Sequence, residues 1–317
     1  MRVIVTGSSG FLGTSLCALL EHRGIEPVRL TSANCDLRRT DSLEAFSDER
    51  FDLMFHLAAW TQAGDFCLKH PGEQWVINQQ INTNVLAWWA QRQAQAKLVF
   101  IGTSCAYEPG SSLREDEYLV GEPIDSLYTY AMTKRMLLIG ARALNRQHGL
   151  KYLCAVPSTL YGPGYHVDGR QMHFIFDLIR KIIRGKEFGE PVVLWGDGHQ
   201  KREVVLVDDF VRILWQLTER FDNEIFNIGA GQEHSIRAFA ASICDIVGYP
   251  AEKIVYDSTR YVGATSKCLN VEKITGALGP LNLAPLHEGL PKTIAWFYDS
   301  GAYRGAAVTA DAVAGNR

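Results

Sequence analysis

Short apolar runs alternate with stretches of helical spacing through the first half of the chain. "RVIVTG" is an apolar run that stops at Gly7, the pattern of a buried strand. "FLGTSLCALLEHRG" follows, with Leu12, Leu16, Leu19 and Leu20 on one helical stripe and Gly24 as a stop signal. "EPVRLTS", "FDLMFHLAA", "KLVFIGTS" and "KYLCAVPS" read as further strands. Between them, "SLEAFSDE", "VINQQINTNVLAWWAQRQA" and "SLYTYAMTKRMLLIGARALNRQHG" read as helices, the last closed by Gly149. This alternation predicts an α/β fold, a doubly wound parallel sheet of about seven strands.

After about Ser158 the pattern changes. "TLYGPGYHVDGRQ" reads as a loop, "MHFIFDLIRKIIRG" as a helix, and "PVVLWGDGHQKREVVLVDD" as strand, Gly-rich turn and strand. "DNEIFNIG" is another strand, and "SIRAFAASICDIVG" a helix with Ser235 as its N-cap. The expected division is residues 1–160 plus about 203–230 for the main sheet. About 161–202 plus 231–300 would then form a smaller C-terminal lobe. Residues 301–317 are small and aperiodic, the pattern of a tail.

Composition narrows the function. The 317 residues carry a formal net charge of -3 with no basic block, which argues against a nucleic-acid surface. No apolar run approaches the roughly 20 residues of a membrane span, and "MRVIVTGSSG" runs straight into a strand without a leader pattern. Seven cysteines, an odd number with no C-x-x-C, suggest neither a disulfide framework nor a metal site. A reducing, cytoplasmic setting is the expectation.

Three features carry chemistry. "TGSSGFLG" places Gly7, Gly10 and Gly13 between the first strand and first helix. There a tight turn and a helix N-terminus suit a dinucleotide pyrophosphate. The second strand ends in "VRLTS" with no carboxylate before Asp36. Arg29 and Ser32 could therefore meet a 2′-phosphate, favouring NADP(H) over NAD(H), with Asp36 left for the adenine. Tyr130 and Lys134 stand four apart on one helix face, where both side chains could reach one target.

Taken in order, "TGSSGFLG", "HLAA", Asn78, "GTSCAYEP", "YAMTK", "PSTLYGPG", "WGDGHQKRE" and "VDD" resemble the extended short-chain dehydrogenases/reductases, in the nucleotide-sugar epimerase/dehydratase group. The resemblance covers about residues 1–300 and implies a Rossmann domain followed by a substrate-binding lobe. Within the group the chain is most similar to enzymes that epimerise C3 and C5 of GDP-4-keto-6-deoxymannose and reduce its C4. Tyr130 and Lys134 would be the family's catalytic pair, with Thr103 bonding the C4 oxygen where the family usually has serine. A free tyrosine titrates near 10, and Lys134 would favour its phenolate; reaching about 7 takes roughly 4 kcal/mol.

Cys105 and His173 would be the acid/base pair for epimerisation, because the 4-keto group acidifies C3–H and C5–H. The resemblance further implies cofactor contacts from Phe11, Leu12, Leu37, Leu57, Ala58, Ala59, Asn78 and Pro157. Thr159, where related enzymes often carry asparagine, and Trp195 would touch the substrate. Lys181, Arg202 and Lys267 would line its diphosphate path. The expected partner is a GDP-linked 4-keto sugar. A homodimer is expected through the helix of 126–148, with Met132, Met136 and Ile139, and the helix of about 75–95, with Trp88 and Trp89. Alternatives are a GDP-mannose 3,5-epimerase, whose lysine before the His173 position is Met172 here, a 4-reductase with idle epimerase residues, and an NADP-binding sensor.

Overall fold

Six strands hydrogen-bond into one parallel sheet, in the order Glu224–Ile228, Tyr152–Pro157, Lys97–Ile101, Leu53–His56, Val3–Thr6, Val28–Leu30. The structure, a computed structural model, describes residues 1–64, 66–259 and 265–304. Every strand of the sheet is flanked by helix or covered by core, so the apolar runs are buried on both faces. Side chains alternate as a strand requires. Ile4, Met54, Leu98 and Phe100 face one core, with Val85, Trp89 and Leu138 from the helices Pro71–Arg92 and Tyr128–His148. Val3, Val5, Phe55 and Val99 face the other, with Leu16 and Leu20 from Phe11–His22 and Phe210 and Leu214 from Val207–Arg220.

Several expectations are corrected. The sheet has six strands, not about seven, because the chain leaves it after Pro157. Proline has no N–H for the ladder, and Thr159–Tyr161, inside a segment expected to be loop, pairs instead with Val204–Leu206. "SLEAFSDE" yields one 3₁₀ turn, Glu44–Phe46, too short to nucleate an α-helix. Trp88 and Trp89 are core residues, 4% and 0% exposed, with indole N–H groups donating to Ser47 Oγ and Ala96 O at 2.9 Å each. They cannot serve a subunit interface. Ala302 and Tyr303 are buried rather than part of a tail, and residues 305–317 lie outside the described residues. Ser235 caps its helix as expected, accepting the Ala238 N–H at 3.1 Å. Gly149 closes the long helix in the left-handed region at φ 72°.

A separate core joins Ile175, Phe176 and Ile179 of the helix Phe174–Phe188 to Phe239 and Ile243 of Ile236–Val247 and to Leu290 and Phe297 of Leu286–Ser300. Among the described residues no helix is long and apolar enough to cross a membrane.

Under the carboxyl edge of the sheet runs a buried polar thread. Thr6 Oγ1 accepts the Leu57 and Ala58 N–H groups at 3.2 and 3.3 Å, so its hydroxyl donates to His56 Nδ1 at 2.9 Å. The opposite ring nitrogen then donates to Asn82 Oδ1 at 3.2 Å, and Asn82 Nδ2 donates to Thr133 O at 3.3 Å. The thread joins the first strand to the helix that carries Tyr130 and Lys134. Burial, then the nearby Lys134 cation, pushes His56 down to about 4.

His56 therefore stays neutral in the fold while the unfolded chain gains a proton below about 6.5. Stability is full above that pH and falls as pH drops from about 6.5 towards 4. For this group alone the loss at pH 5 is roughly 2 kcal/mol. Urea unfolding at pH 7.5 and 5 is expected to show a steeper decline for the wild type than for His56→Gln. Parallel declines would remove His56 from the account.

Candidate functional site

The sheet order reverses between the first and third strands, Val3–Thr6 and Leu53–His56, and such a switch point opens a crevice at the carboxyl ends. The glycine loop fills that position. Gly7 has φ +68°, and a Cβ there would lie 2.8 Å from Ala58 N. A Cβ on Gly13 would lie 2.2 Å from Gly7 O, so the loop and helix can meet only as glycines. Gly10 caps the helix Phe11–His22 without a side-chain hydrogen bond, leaving first-turn N–H groups for an anion. This cradle fits a dinucleotide pyrophosphate.

The other cofactor candidates divide. Phe11 and Leu12 offer backbone there, since their side chains are engaged. The Phe11 ring packs edge-on to Tyr165 at 5.3 Å and Phe176 at 5.6 Å, and Leu12 packs on the sheet core. Leu57, Ala58 and Ala59 form the opposite rim, and Pro157 ends its strand at the same edge. Asn78 braces that rim: its amide bonds the Trp60 N–H and carbonyl at 2.9 and 3.0 Å. Leu37 is buried, and its carbonyl accepts from Asn84 Nδ2 at 2.8 Å. Ser32 is exposed, Arg29 is ion-paired with Glu21, and Arg38 holds the Asp36 carboxylate at 2.7 Å and lowers its pKa. Asp36 is thus matched to arginine in this structure.

At the end of the strand Lys97–Ile101, the turn Ser104–Ala106 begins with Thr103, whose Oγ1 accepts the Cys105 N–H at 3.2 Å. Thr103 also hydrogen-bonds the Tyr130 phenol. Lys134 Nζ lies 6.0 Å from the Tyr130 ring centroid. Burial lowers Lys134 to about 8. The phenol, however, is pushed up, by burial first and then by Cys105 and Cys67. The expected shift towards phenolate is not found: desolvation and the two thiols oppose ionisation, and Tyr130 holds its proton as an acid would.

Cys105 Sγ lies 3.1 Å from Lys267 Nζ. The backbone of Lys267 is fixed in turn, its N–H donating to Glu233 Oε1 at 2.5 Å. His173 caps the helix Phe174–Phe188, and its N–H donates to the Tyr165 hydroxyl at 3.4 Å. Desolvation, then the neighbouring His166 and Lys267, push His173 below the ordinary histidine range. All three causes act in the same direction, against the imidazolium.

The structure thus brings Thr103, Cys105, Tyr130, Lys134 and Lys267 together and sets His173 within electrostatic reach of Lys267. Lys181 is held at 2.9 Å by Asp177 on its own helix. Arg202 sits on a two-residue strand paired with His234–Ser235, and Thr159 on the short strand after Pro157. Trp195 is 47% exposed, and on the paired strand Tyr256, next to Trp195's partner Asp257, stacks under Arg237 at 3.8 Å. Cys67, Tyr165 and His166 also border the site, with no sequence pattern that marked them. A cavity of about 430 Å³ lies beside them, lined by Gln62, Phe66, His70, Arg170 and Gln171 among others.

Residues 3–229 match the NAD dependent epimerase/dehydratase family. The chain is 30% identical to GDP-L-fucose synthase 1 of Arabidopsis thaliana over 302 residues, 93% of each chain. It is 27% identical to GDP-L-colitose synthase of Yersinia pseudotuberculosis, covering 94% of this chain and 98% of that one. The crystal structure of an NADP-bound GDP-L-fucose synthetase from Naegleria fowleri superposes with a TM-score of 0.84 at 23% identity, over 95% and 94% of the two chains. The glycine cradle, the Tyr130–Lys134 helix and the sheet order agree with these likenesses: the chain belongs to the NAD dependent epimerase/dehydratase family.

Proposed function

We propose that this protein epimerises C3 and C5 of a GDP-linked 4-keto-6-deoxyhexose and reduces its C4 carbonyl with NADPH. The carrying observation is the 3.1 Å approach of Lys267 Nζ to Cys105 Sγ beside the Thr103–Tyr130 pair. It sets a thiol beside a cation and next to a phenol that keeps its proton. The relatives whose names specify GDP-L-fucose and GDP-L-colitose support the GDP-sugar class.

In this reading Cys105 takes the proton from C3, passes it to solvent and, as base again, takes the proton from C5. The C–H electron pair moves into the enolate on the C4 oxygen, which Thr103 and Tyr130 hold by hydrogen bonds. His173 returns a proton on the opposite face. Desolvation, then His166 and Lys267, hold His173 neutral, so it needs the substrate diphosphate to offset them, and it regains its proton from solvent between the two epimerisations. Arg202, Lys181 and Lys267 are the cations proposed to receive that diphosphate, with Trp195 against the base or ribose and Thr159 against the sugar. In the second step Tyr130 gives its proton to the C4 oxygen. The reduced nicotinamide, when bound, supplies the hydride. Lys134 holds its ribose in this reading, and Arg29, Ser32 and Arg38 favour a 2′-phosphate. The low pKa of His173 favours one competing reading, a 4-reductase without epimerase activity.

Absorbance at 340 nm is expected to fall when the protein and NADPH meet a GDP-4-keto-6-deoxy sugar, faster than with the dTDP or UDP sugars. No oxidation with any of them would refute the proposal. Tyr130→Phe is expected to lose about 10²–10⁴ in turnover with an unchanged circular dichroism spectrum. Lys134 loses its charge as pH rises through about 8, so turnover is expected to decline above that pH. Wild-type turnover in the phenylalanine variant would show that another acid serves C4.

Cys105→Ser replaces the thiol by a hydroxyl that ionises far too weakly to act as base, at nearly the same volume. It is expected to abolish epimerisation while hydride transfer to the unepimerised keto-sugar persists. Chiral analysis of the reduced sugar reads this directly, and a fully epimerised product from the serine variant would make Cys105 a packing residue.

We further propose a homodimer. Met136 and Ile139 on the helix Tyr128–His148 are 38% and 43% exposed, and Trp75 and Val76 on Pro71–Arg92 are 37% and 52% exposed. These two helices pack on each other, and with a symmetry mate they would make a four-helix interface. Light scattering should give twice the chain mass, and Ile139→Asp should shift it towards one chain. A wild-type monomer at micromolar concentration would end the proposal.

A further inference from the structure

Arg135 follows Lys134 on the helix Tyr128–His148, yet only 5% of it is exposed. Among the described residues it forms no ion pair. Its guanidinium instead grips three backbone carbonyls. Nε and Nη2 both donate to Ala106 O, at 3.0 and 2.5 Å. Nη2 also donates to Val120 O at 2.8 Å, and Nη1 to Gly121 O at 2.7 Å. Burying a charge without a carboxylate is costly, so a neutral, apolar residue would be the cheaper way to fill this space. The carbonyls it holds belong to two segments, one of them the turn that carries Cys105.

Ala106 ends the turn that carries Cys105. Val120 and Gly121 belong to the strap that follows Tyr118, a fully buried residue. The Tyr118 hydroxyl accepts the Thr103 N–H at 3.1 Å, so the strap grips the turn at its other end. The Tyr118 ring is itself wedged edge-on to Tyr107 at 5.4 Å, and Tyr107 donates to Asn227 Oδ1 at 2.6 Å. Gly102 leaves the space: a Cβ there would lie 2.8 Å from the Tyr118 oxygen.

From this geometry we infer that Arg135 and Tyr118 are positioning residues that lock the Thr103–Cys105 turn against the helix bearing Tyr130 and Lys134. The inference rests on the proposed function for what the turn does, but not for how it is held. Arg135 acts on both chemistries, because it fixes the turn and the strap at once. Tyr118 acts at Thr103, one end of the turn, and so on the C4 oxygen. Only a planar fork can reach all three carbonyls; a lysine keeps the charge but not the geometry.

The test compares Arg135→Lys with Tyr118→Phe, which removes a single hydroxyl. The first readout needs no substrate: the rate of Cys105 alkylation by iodoacetamide, followed by peptide mass spectrometry. Arg135→Lys is expected to change that rate by about tenfold or more, and Tyr118→Phe to leave it near wild type. The second readout is NADPH oxidation with the GDP-4-keto-6-deoxy sugar. Both variants are expected to lose roughly 10- to 100-fold in kcat, the scale of an ångström-level misplacement, with KM for both substrates within about twofold. A wild-type alkylation rate in Arg135→Lys overturns the inference, whatever the sugar does. Wild-type kcat in folded Tyr118→Phe removes Tyr118 from it. If the wild-type protein oxidises no NADPH, the proposed function fails while the alkylation arm still decides the role of Arg135.

Discussion

A parallel sheet sends every strand's carboxyl end to the same edge, and the rest of this molecule depends on that constraint. Thr6 stands opposite His56 and His56 opposite Phe100 in the ladder. The segments that leave those residues are the glycine loop, the Leu57–Trp60 rim and the Thr103–Cys105 turn. None of them is near another in sequence. The register brings them together, and the hydrogen-bond thread through Thr6, His56 and Asn82 carries the alignment to Thr133, beside Lys134. A one-residue slip would turn the buried faces outward, so the site is as well specified as the core.

The second core supplies the other wall. Its link to the glycine loop is aromatic: Phe11 meets Tyr165 and Phe176 edge-on, and Tyr165 stacks on Phe176 at 3.8 Å. Tyr165 also accepts the N–H of His173. The loop proposed to hold the cofactor therefore touches the residues that seat the proposed acid. Lys267 reaches across from the far side to Cys105.

Much of this was legible in the sequence, and the reasons are specific. The strand runs were readable because strands buried on both faces are apolar throughout. The glycine loop was readable because Gly7 and Gly13 have no room for a Cβ. Tyr130, Lys134, Cys105 and His173 were named through an ordered series of motifs, not through their own spacing, and their roles remain proposals. What stayed hidden was three-dimensional. Lys267 is 162 residues from Cys105, and nothing in "GATSKCLN" marks a thiol contact. Trp88 and Trp89 looked like interface residues because tryptophan pairs suit either fate; their indole partners, Ser47 and Ala96, decide for the core. Arg135 read as one more helix cation, since nothing in the sequence marks a charge whose hydrogen bonds all go to backbone carbonyls. The phenol of Tyr130 was expected to ionise because the nearby lysine is visible in sequence, while the burial that keeps it protonated is not.

The central claim is that one pocket performs proton exchange at C3 and C5 and hydride delivery at C4. The most direct measurement is the position of deuterium in the product formed from GDP-4-keto-6-deoxymannose and unlabelled NADPH in deuterated water, read by NMR. The account predicts deuterium at C3 and C5 with protium at C4. A reduced product carrying no deuterium at C3 or C5 would contradict it, leaving the cysteine, the histidine and their lysine without the chemistry assigned to them.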